Sequence, residues 1–212
     1  ILESIEKVIL GPERKGRTIS EKEKKITAYH EAGHALVAAS IKDADPVHKV
    51  SIVSRGSAGG YTLKLPLEEV RLHTRSQFVG ELAALLGGYA SEKEIFGDIS
   101  TGASNDIKEA SELARRLVTK YGMSEKLGPM TFGKSQELIF LGREISTEKV
   151  AAEIDAEVSG FVKRAYETAK KIIASRKNAL AKIAETLMEK ETLEQEEFYN
   201  LLKPFKLKPL IV

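Results

Sequence analysis

The sequence predicts a mainly α-helical domain with a small β-hairpin or sheet beside one of its helices. Most of the chain carries apolar residues at the three- and four-residue spacing of amphipathic helices, over residues 20–41, 74–96 and 147–175 among others. Residues 47–54 and 61–65 instead alternate as short strands do, and a glycine-rich turn separates them. The two short segments therefore predict a hairpin that follows the first long helix.

The first long helix has a defined start. Ser20 and Glu23 have the spacing of a capping box, in which the serine hydroxyl and the glutamate carboxylate each accept a backbone N–H. One side of the helix is then apolar until the pattern stops before residues 43–46. The residues on that side are Ile26, Tyr29, Gly33, Leu36, Val37 and Ile41.

This helix contains a His-Glu-x-x-His motif at His30, Glu31 and His34. Residues four apart lie on one helix face, so both imidazoles can bind one metal ion. Zn²⁺ accepts neutral imidazole at about 2.0–2.1 Å in a tetrahedral site. Glu31 is one position round the helix, where it is aimed at a water on the ion. The motif predicts two zinc ligands and a catalytic base; the alternative is a solvated helix that carries these residues by chance.

Composition excludes several classes of site and partner. The chain has 212 residues, a net charge of +2 and no basic block with interleaved aromatics, so we expect no nucleic-acid partner. It has no cysteine, which excludes disulfides and zinc–thiolate sites. No apolar run approaches the roughly 20 residues that span a bilayer, and no signal peptide opens the chain. Because it begins at Ile1 without methionine, we expect a soluble fragment of a longer protein.

A second long helix is predicted over residues 74–96. Thr74 and Gln77 form its capping box, and Gly87-Gly88 in its middle costs about 1 kcal/mol per glycine in helix propensity. That cost suggests the close approach of another backbone, and we expect this helix to pack against the one that carries the histidines. Further helices are predicted from residue 104 or 105 to a Gly122 cap, and over 147–175, 178–190 and 193–202, as scaffold or partner surface.

The hairpin is a candidate substrate site. An extended peptide can add to the edge of a sheet and present its scissile bond to a nearby ion. Gly59, Gly60, Tyr61 and Thr62, at the turn and the start of the second strand, are the candidate substrate-binding residues. The alternative is a hairpin that only covers the core.

A catalytic zinc takes three protein ligands and keeps one position for water, so the site needs a third ligand besides His30 and His34. No third histidine follows at short spacing, and His48 and His73 compete poorly with the available carboxylates. Glu92 and Asp106 are the leading candidates, because each sits beside a glycine-containing stretch that allows close backbone approach. The residues alone leave the choice between them open.

The chain resembles the peptidase domain of FtsH, an ATP-dependent, membrane-anchored family of zinc metalloproteases. The resemblance runs in order along almost the whole chain, and its most specific pair of motifs is residues 28–35 followed by residues 100–107. The matching segments are residues 11–15, 28–35, 59–62, 86–88, 100–107, 122–129, 140–143, 154–158 and 191–193.

The resemblance implies site roles. The aspartate of the family's Asn-Asp-Ile run is the third zinc ligand, and that position here is Asp106. Glu92 then orients a ligand imidazole instead of binding the ion. The family usually has Gly-Gly-Arg-x-Ala-Glu-Glu where this chain has residues 87–93, so its arginine and second glutamate are replaced by Tyr89 and Lys93.

The resemblance also implies a larger machine. It predicts an end of an ATPase lid and connector at residues 1–17, a zinc metallopeptidase domain at 18–205 and a C-terminal tail at 206–212. It implies one Zn²⁺ per chain, ATP used by an AAA module in cis that is absent from this fragment, and a homo-hexamer. Polypeptides, unfolded or damaged, are the implied substrates, and the cytoplasmic face of the inner membrane is the implied location of the full-length bacterial protein.

Two other functions fit parts of the pattern. A non-catalytic helical oligomerisation module would use the zinc as a closed structural site with four protein ligands. A zinc peptidase that needs no ATPase would share the catalytic residues. The first alternative requires both Glu92 and Asp106 on the ion, which separates it from the peptidase.

Overall fold

The structure is a computed structural model that describes residues 20–42, 44–55, 59–65, 72–132, 147–207 and 209–210. The interpretation of residues 1–17 as a connector lies outside these ranges. Within them, the predicted mainly α fold with a small sheet is confirmed. The helices are α1 (Glu21–Ser40), α2 (Arg75–Leu85), α3 (Gly87–Phe96), α4 (Ser104–Thr119), α5 (Thr147–Ser175), α6 (Lys177–Lys190) and α7 (Gln195–Leu202); the strands are β1 (Val47–Ser51), β2 (Tyr61–Lys64) and β3 (Thr192–Glu194).

Helix α1 lies at the centre of the fold. Its capping box is present, with the Glu23 amide donating to the Ser20 hydroxyl at 3.2 Å and the Ser20 amide donating to the Glu23 carboxylate at 3.4 Å. The helix packs against α3 and α6, and its second half is largely buried. At its end, Leu210 donates to the Ser40 carbonyl and accepts from the Lys42 amide. Both ends of the helix are therefore fixed.

The prediction of one uninterrupted helix over residues 74–96 is wrong. Leu86, with φ −90° and ψ 3°, ends α2 and begins α3. Gly87 and Gly88 follow directly, and glycine has the lowest helix propensity after proline. The interruption thus falls where the helical pattern is weakest, and the glycine pair opens α3 instead of lying inside a longer helix.

The expected packing of the glycine pair against the histidine helix is confirmed at the crossing of α1 and α3. A β-carbon on Gly87 would lie 2.6 Å from the Gly33 carbonyl oxygen and 2.9 Å from the His34 Cα. A β-carbon on Gly33 would lie 2.6 Å from the Ser91 Cβ. The two backbones touch, and the Ser91 hydroxyl adds a hydrogen bond of 2.6 Å to the Tyr29 carbonyl.

Gly33→Ala is expected to destabilise the metal-free protein by about 1–3 kcal/mol, because the methyl group overpacks this crossing. The change is measured by urea unfolding in the presence of a chelator. Gly160→Ala in α5 is the matched control, since its β-carbon would meet only the flexible guanidinium of Arg164 at 3.2 Å. Alanine's better helix propensity should leave that variant neutral or more stable. A Gly33→Ala protein as stable as wild type would contradict the close contact.

The predicted hairpin is confirmed, and a third strand joins it. The sheet order is β2-β1-β3, with Val50 opposite Thr62 on one side and opposite Leu193 on the other, both antiparallel. The prediction of a helix from Leu193 is therefore wrong at its start. Glu191, with φ 63°, turns the chain after α6, and Leu193 is buried on the sheet before α7 begins at Gln195. β1 and β2 both contact α1, which places the sheet beside the histidine motif.

Helices α5 and α6 pack against the helices that carry the site residues. α5 packs against α2, α3 and α4, and α6 packs against α1. Among the described residues, no helix is both long enough and apolar enough to cross a membrane. The buried residues of α5 include Ile154, Phe161, Ala165, Ala169 and Ile172.

Candidate metal centre

Three helices bring the predicted site residues together. α1 supplies His30, Glu31 and His34, α3 supplies Glu92, and the first turn of α4 supplies Asp106. His30 and Glu31 are buried at 8% and 6% exposure, although both carry polar groups. Buried polar groups of this kind are retained only where they have partners.

His30, His34 and Asp106 converge on one point. The two Nε2 atoms are 3.0 Å apart, and Asp106 Oδ2 lies 3.0 Å from His30 Nε2 and 3.4 Å from His34 Nε2. A tetrahedral zinc with bonds of about 2.0–2.1 Å needs ligand atoms about 3.3–3.4 Å apart. The separations in this cluster therefore suit three ligands of one ion with little movement.

The outer nitrogens of the two histidines fix which atoms face that point. His34 Nδ1 lies 2.8 Å from the Ala84 carbonyl oxygen, which can only accept, so Nδ1 carries the proton. His30 Nδ1 lies 2.6 Å from Glu92 Oε1 and donates to it in the same way. In the neutral imidazoles, both Nε2 lone pairs then face each other and the Asp106 carboxylate. Three converging acceptors favour a cation or a proton between them.

The electrostatics of these side chains also favour a positive charge at the convergence point. Burial lowers the pKa of His30, but the hydrogen bonds to Asp106 and Glu92 outweigh it and raise that pKa to about 10. Burial likewise raises the pKa of Asp106, but hydrogen bonds from His30 and His34 hold it well below its usual range. A proton is retained where the acceptors converge, and a metal ion would replace it.

Glu92 faces the other side of His30. Its Oε1 contacts Nδ1, and its Oε2 accepts the Ser100 amide at 2.6 Å. Burial raises the pKa of Glu92, and the bonds from His30 and Ser100 reverse that effect and lower it. The two carboxylates that the residues left as alternatives therefore occupy different places: Asp106 lies at the convergence point, and Glu92 lies behind an imidazole.

Gly88 borders the convergence point. A β-carbon there would lie 2.5 Å from both Cε1 and Nε2 of His30 and 2.6 Å from Nε2 of His34. Any side chain at this position would displace the imidazoles or fill the space between them. The glycine therefore keeps open the space where an ion would bind.

Glu31 lies beside the cluster but outside it. Its buried carboxylate accepts a hydrogen bond of 2.8 Å from the Thr62 hydroxyl, and burial is the main cause that raises its pKa. The nearby His34 and His30 side chains lower the pKa of Glu31 without cancelling the effect of burial. A carboxylate with a raised pKa is a better proton acceptor, which suits a general base.

The four hairpin residues have different environments. Gly59 is exposed, Gly60 is buried against Glu31, and the Tyr61 ring is buried with the Arg55 guanidinium 5.8 Å from its centroid. The Thr62 side chain is occupied by Glu31. What this stretch offers a substrate is chiefly the backbone of β2, an edge strand of the described sheet.

Neither remaining histidine joins the cluster. Among the described residues, the group that could hold a metal ion consists of His30, His34 and Asp106. His48 lies in β1, and His73, just before α2, lies beside Phe78 with the two rings tilted and their centroids 5.5 Å apart.

The geometry matches what sequence comparison finds. The sequence model of peptidase family M41 matches residues 17–201. The chain belongs to peptidase family M41.

Relatives of the M41 chain agree with this assignment. It is 51% identical to ATP-dependent zinc metalloprotease FtsH 1 of Thermomicrobium roseum, over 100% of this chain and 33% of that protein. It is 50% identical to ATP-dependent zinc metalloprotease FtsH of Caldicellulosiruptor bescii, over 95% of this chain and 34% of that protein. It is 49% identical to ATP-dependent zinc metalloprotease FtsH 1 of Sphaerobacter thermophilus, over 100% of this chain and 33% of that protein. The chain spans about a third of the length of these relatives.

The departure from the usual family sequence after Gly88 lies away from the cluster in this M41 domain. Tyr89 packs edge-on against Tyr166 of α5, with ring centroids 5.5 Å apart. Lys93 donates to the Gly97 carbonyl at 3.1 Å, at the end of α3. Both replacements are therefore accommodated by α3 and its neighbours, without contact to the histidines.

Three contributors to the site were not predicted: the Ala84 carbonyl, the Ser100 amide and the open space at Gly88. Backbone groups leave no signature in residue identity, so the first two had no signal. Gly88 did have a signal, because it lies four residues before Glu92 on the same helix face. The glycine was interpreted only as a site of helix packing.

Proposed function

We propose that this chain is the zinc-dependent endopeptidase domain of an FtsH-like, membrane-anchored, ATP-dependent processive protease that degrades unfolded or damaged proteins. One observation carries the proposal: two imidazole Nε2 atoms and the Asp106 carboxylate converge beside the buried carboxylate of Glu31. The M41 assignment and the zinc metalloprotease names of the relatives support it.

His30, His34 and Asp106 hold one Zn²⁺. When bound, the ion would lower the pKa of its water and polarise the scissile carbonyl. Three protein ligands leave a position open, as catalytic rather than structural zinc requires. Glu92 supports the open site over the closed alternative, because its carboxylate is engaged with His30 Nδ1 and the Ser100 amide.

Glu31 is the general base. It takes a proton from the attacking water and passes it to the leaving amine nitrogen as the peptide bond breaks. Glu92 holds the His30 Nδ1 proton, which keeps Nε2 as the ligand atom and increases its basicity.

The substrate peptide lies along β2. Residues Gly59–Thr62 contact the peptide as it enters the site. Main-chain hydrogen bonds from the edge strand make this binding tolerant of the substrate's sequence. Such binding suits a protease that acts on many unfolded chains.

The rest of the machine lies outside this chain. ATP is hydrolysed by an AAA module in cis, preceding the peptidase domain at residues 18–205, and the working form is a homo-hexamer on the cytoplasmic face of the inner membrane. The relatives are named ATP-dependent and are about three times as long as the stretch that this chain matches, which supports an ATPase module outside this chain.

The ligand set is tested with Asp106→Ala and Glu92→Ala. Elemental analysis should find about one zinc per wild-type chain. Asp106→Ala should lose the ion and all cleavage of casein, an unfolded substrate. Glu92→Ala should keep the ligands and weaken zinc binding by about 10- to 100-fold. Glu109→Ala, an exposed carboxylate on α4, is the matched control and should behave as wild type.

Two results would contradict these roles. If Glu92→Ala empties the site and Asp106→Ala does not, the third ligand is Glu92. If zinc is bound but casein is cleaved neither by this chain nor by the full-length protein that carries it, the site is structural.

A further inference from the structure

The side-chain carboxylate of Glu31 accepts a hydrogen bond from a residue of the sheet. The Thr62 hydroxyl lies 2.8 Å from Glu31 Oε2 and 3.3 Å from the Glu31 carbonyl oxygen. A hydroxyl has one proton to donate, and the shorter contact to a charged acceptor is the stronger. Thr62 therefore donates to the carboxylate, and its side chain crosses from β2 to α1.

The residue just before β2 confines Glu31 sterically. Gly60 is buried, and a β-carbon at this position would lie 2.9 Å from Glu31 Cγ and 3.0 Å from Oε1. The chain entering β2 thus packs directly on the glutamate side chain. Glu31 is held by the backbone at Gly60 on one side and by the Thr62 hydroxyl on the other.

We propose that Thr62 is the positioning residue of the catalytic base. Its hydroxyl fixes Oε2 and with it the rotamer of Glu31, so that the carboxylate is held in one place to take the proton of the attacking water. A glutamate has several rotatable side-chain bonds, and a base is effective only when held within hydrogen-bond reach of the proton it takes. This inference rests on the proposed peptidase function and adds a residue that the motif on α1 does not contain.

Strand β2 then has two functions. β2 is the edge strand along which the substrate peptide is proposed to lie, and it also carries the group that orients the base. Substrate backbone and base are therefore both positioned relative to Tyr61–Lys64. A shift of this strand would move the scissile bond and the base together, which keeps them in register.

The test compares Thr62→Val, Thr62→Ser and Thr192→Val with wild type for casein cleavage, zinc content and thermal midpoint. Thr192→Val is the matched control, because Thr192 lies in the same sheet and its hydroxyl contacts Ser51 Oγ at 2.8 Å. Thr62→Val should lower kcat by about 10- to 100-fold, with KM changed less than about twofold and zinc retained. Thr62→Ser, which keeps the hydroxyl, should recover most of the rate.

Two further readouts separate positioning from folding. In a Glu31→Gln background, Thr62→Val should lower the rate no further, because the residue it acts through is already removed. In crystal structures, the Glu31 carboxyl should shift in Thr62→Val and stay in place in Thr192→Val. The second readout does not depend on turnover.

The outcomes distinguish this inference from the proposed function. An unchanged kcat in Thr62→Val, or an equal loss in Thr192→Val, overturns the positioning role and leaves the peptidase function intact. A wild type that binds zinc but cleaves no casein, alone or within the full-length protein, overturns both.

Discussion

Glu31→Gln is expected to keep about one zinc per chain and to lose casein cleavage by about 10²- to 10⁴-fold. Glutamine has the shape of glutamate, and its amide oxygen can still accept from Thr62 at the position of Oε2. Packing around the buried side chain is therefore conserved. What is lost is the capacity to take a proton from water and return it to the leaving amine.

The measurement pairs elemental analysis with initial rates on wild type, Glu31→Gln and Glu21→Gln. Glu21 is an exposed carboxylate in the first turn of the same helix, so its variant controls for a change of charge on α1. Normal cleavage by Glu31→Gln would remove Glu31 from the role of base. Loss of zinc together with activity would mean that Glu31 supports the metal site itself.

Gly88→Ala is expected to abolish zinc binding, although the residue donates no ligand. Its methyl carbon would lie 2.5 Å from His30 Nε2 and 2.6 Å from His34 Nε2, well inside van der Waals contact. Both contacts are with the ligand atoms themselves, so relief requires the imidazoles to rotate away from Asp106. We expect zinc affinity to fall by more than the roughly 10- to 100-fold typical of changes to groups that only orient ligands.

Zinc titration of chelator-treated protein measures this effect, with circular dichroism as the check on folding. Gly160→Ala, which meets only the flexible end of Arg164, serves as the matched glycine-to-alanine control in a helix. Wild-type zinc affinity in Gly88→Ala would show that the two imidazoles accommodate the methyl group without losing the ion, and that the glycine serves packing alone.

Features set by neighbours in the sequence were predictable. The capping boxes at Ser20 and Thr74 each join groups three residues apart, so residue identity was enough. His30 and His34 were assigned to one helix face, with Glu31 one position round, for the same reason. The hairpin followed from alternation and a glycine-rich turn, which are also local signals.

Apart from the packing of the glycine pair against α1, the features set by distant parts of the chain were not predicted from residue spacing. Leu193 belongs to a strand only because β1, about 140 residues earlier, presents an unpaired edge to it. The bond between Thr62 and Glu31 joins the sheet to α1, and no spacing rule connects the two residues. Residue spacing left Asp106 and Glu92 open and only the family resemblance favoured Asp106, because which carboxylate lies nearer Nε2 depends on how three helices pack.

The irregularity at Leu86 has a chemical consequence. In an unbroken helix, the carbonyl of Ala84 would accept the amide of Gly88. Because the chain changes helix at Leu86, that oxygen accepts His34 Nδ1 instead, at 2.8 Å. The interruption of helical hydrogen bonding between α2 and α3 thus selects the tautomer of His34 on the neighbouring helix α1, and straightening the segment would release the ring from that tautomer.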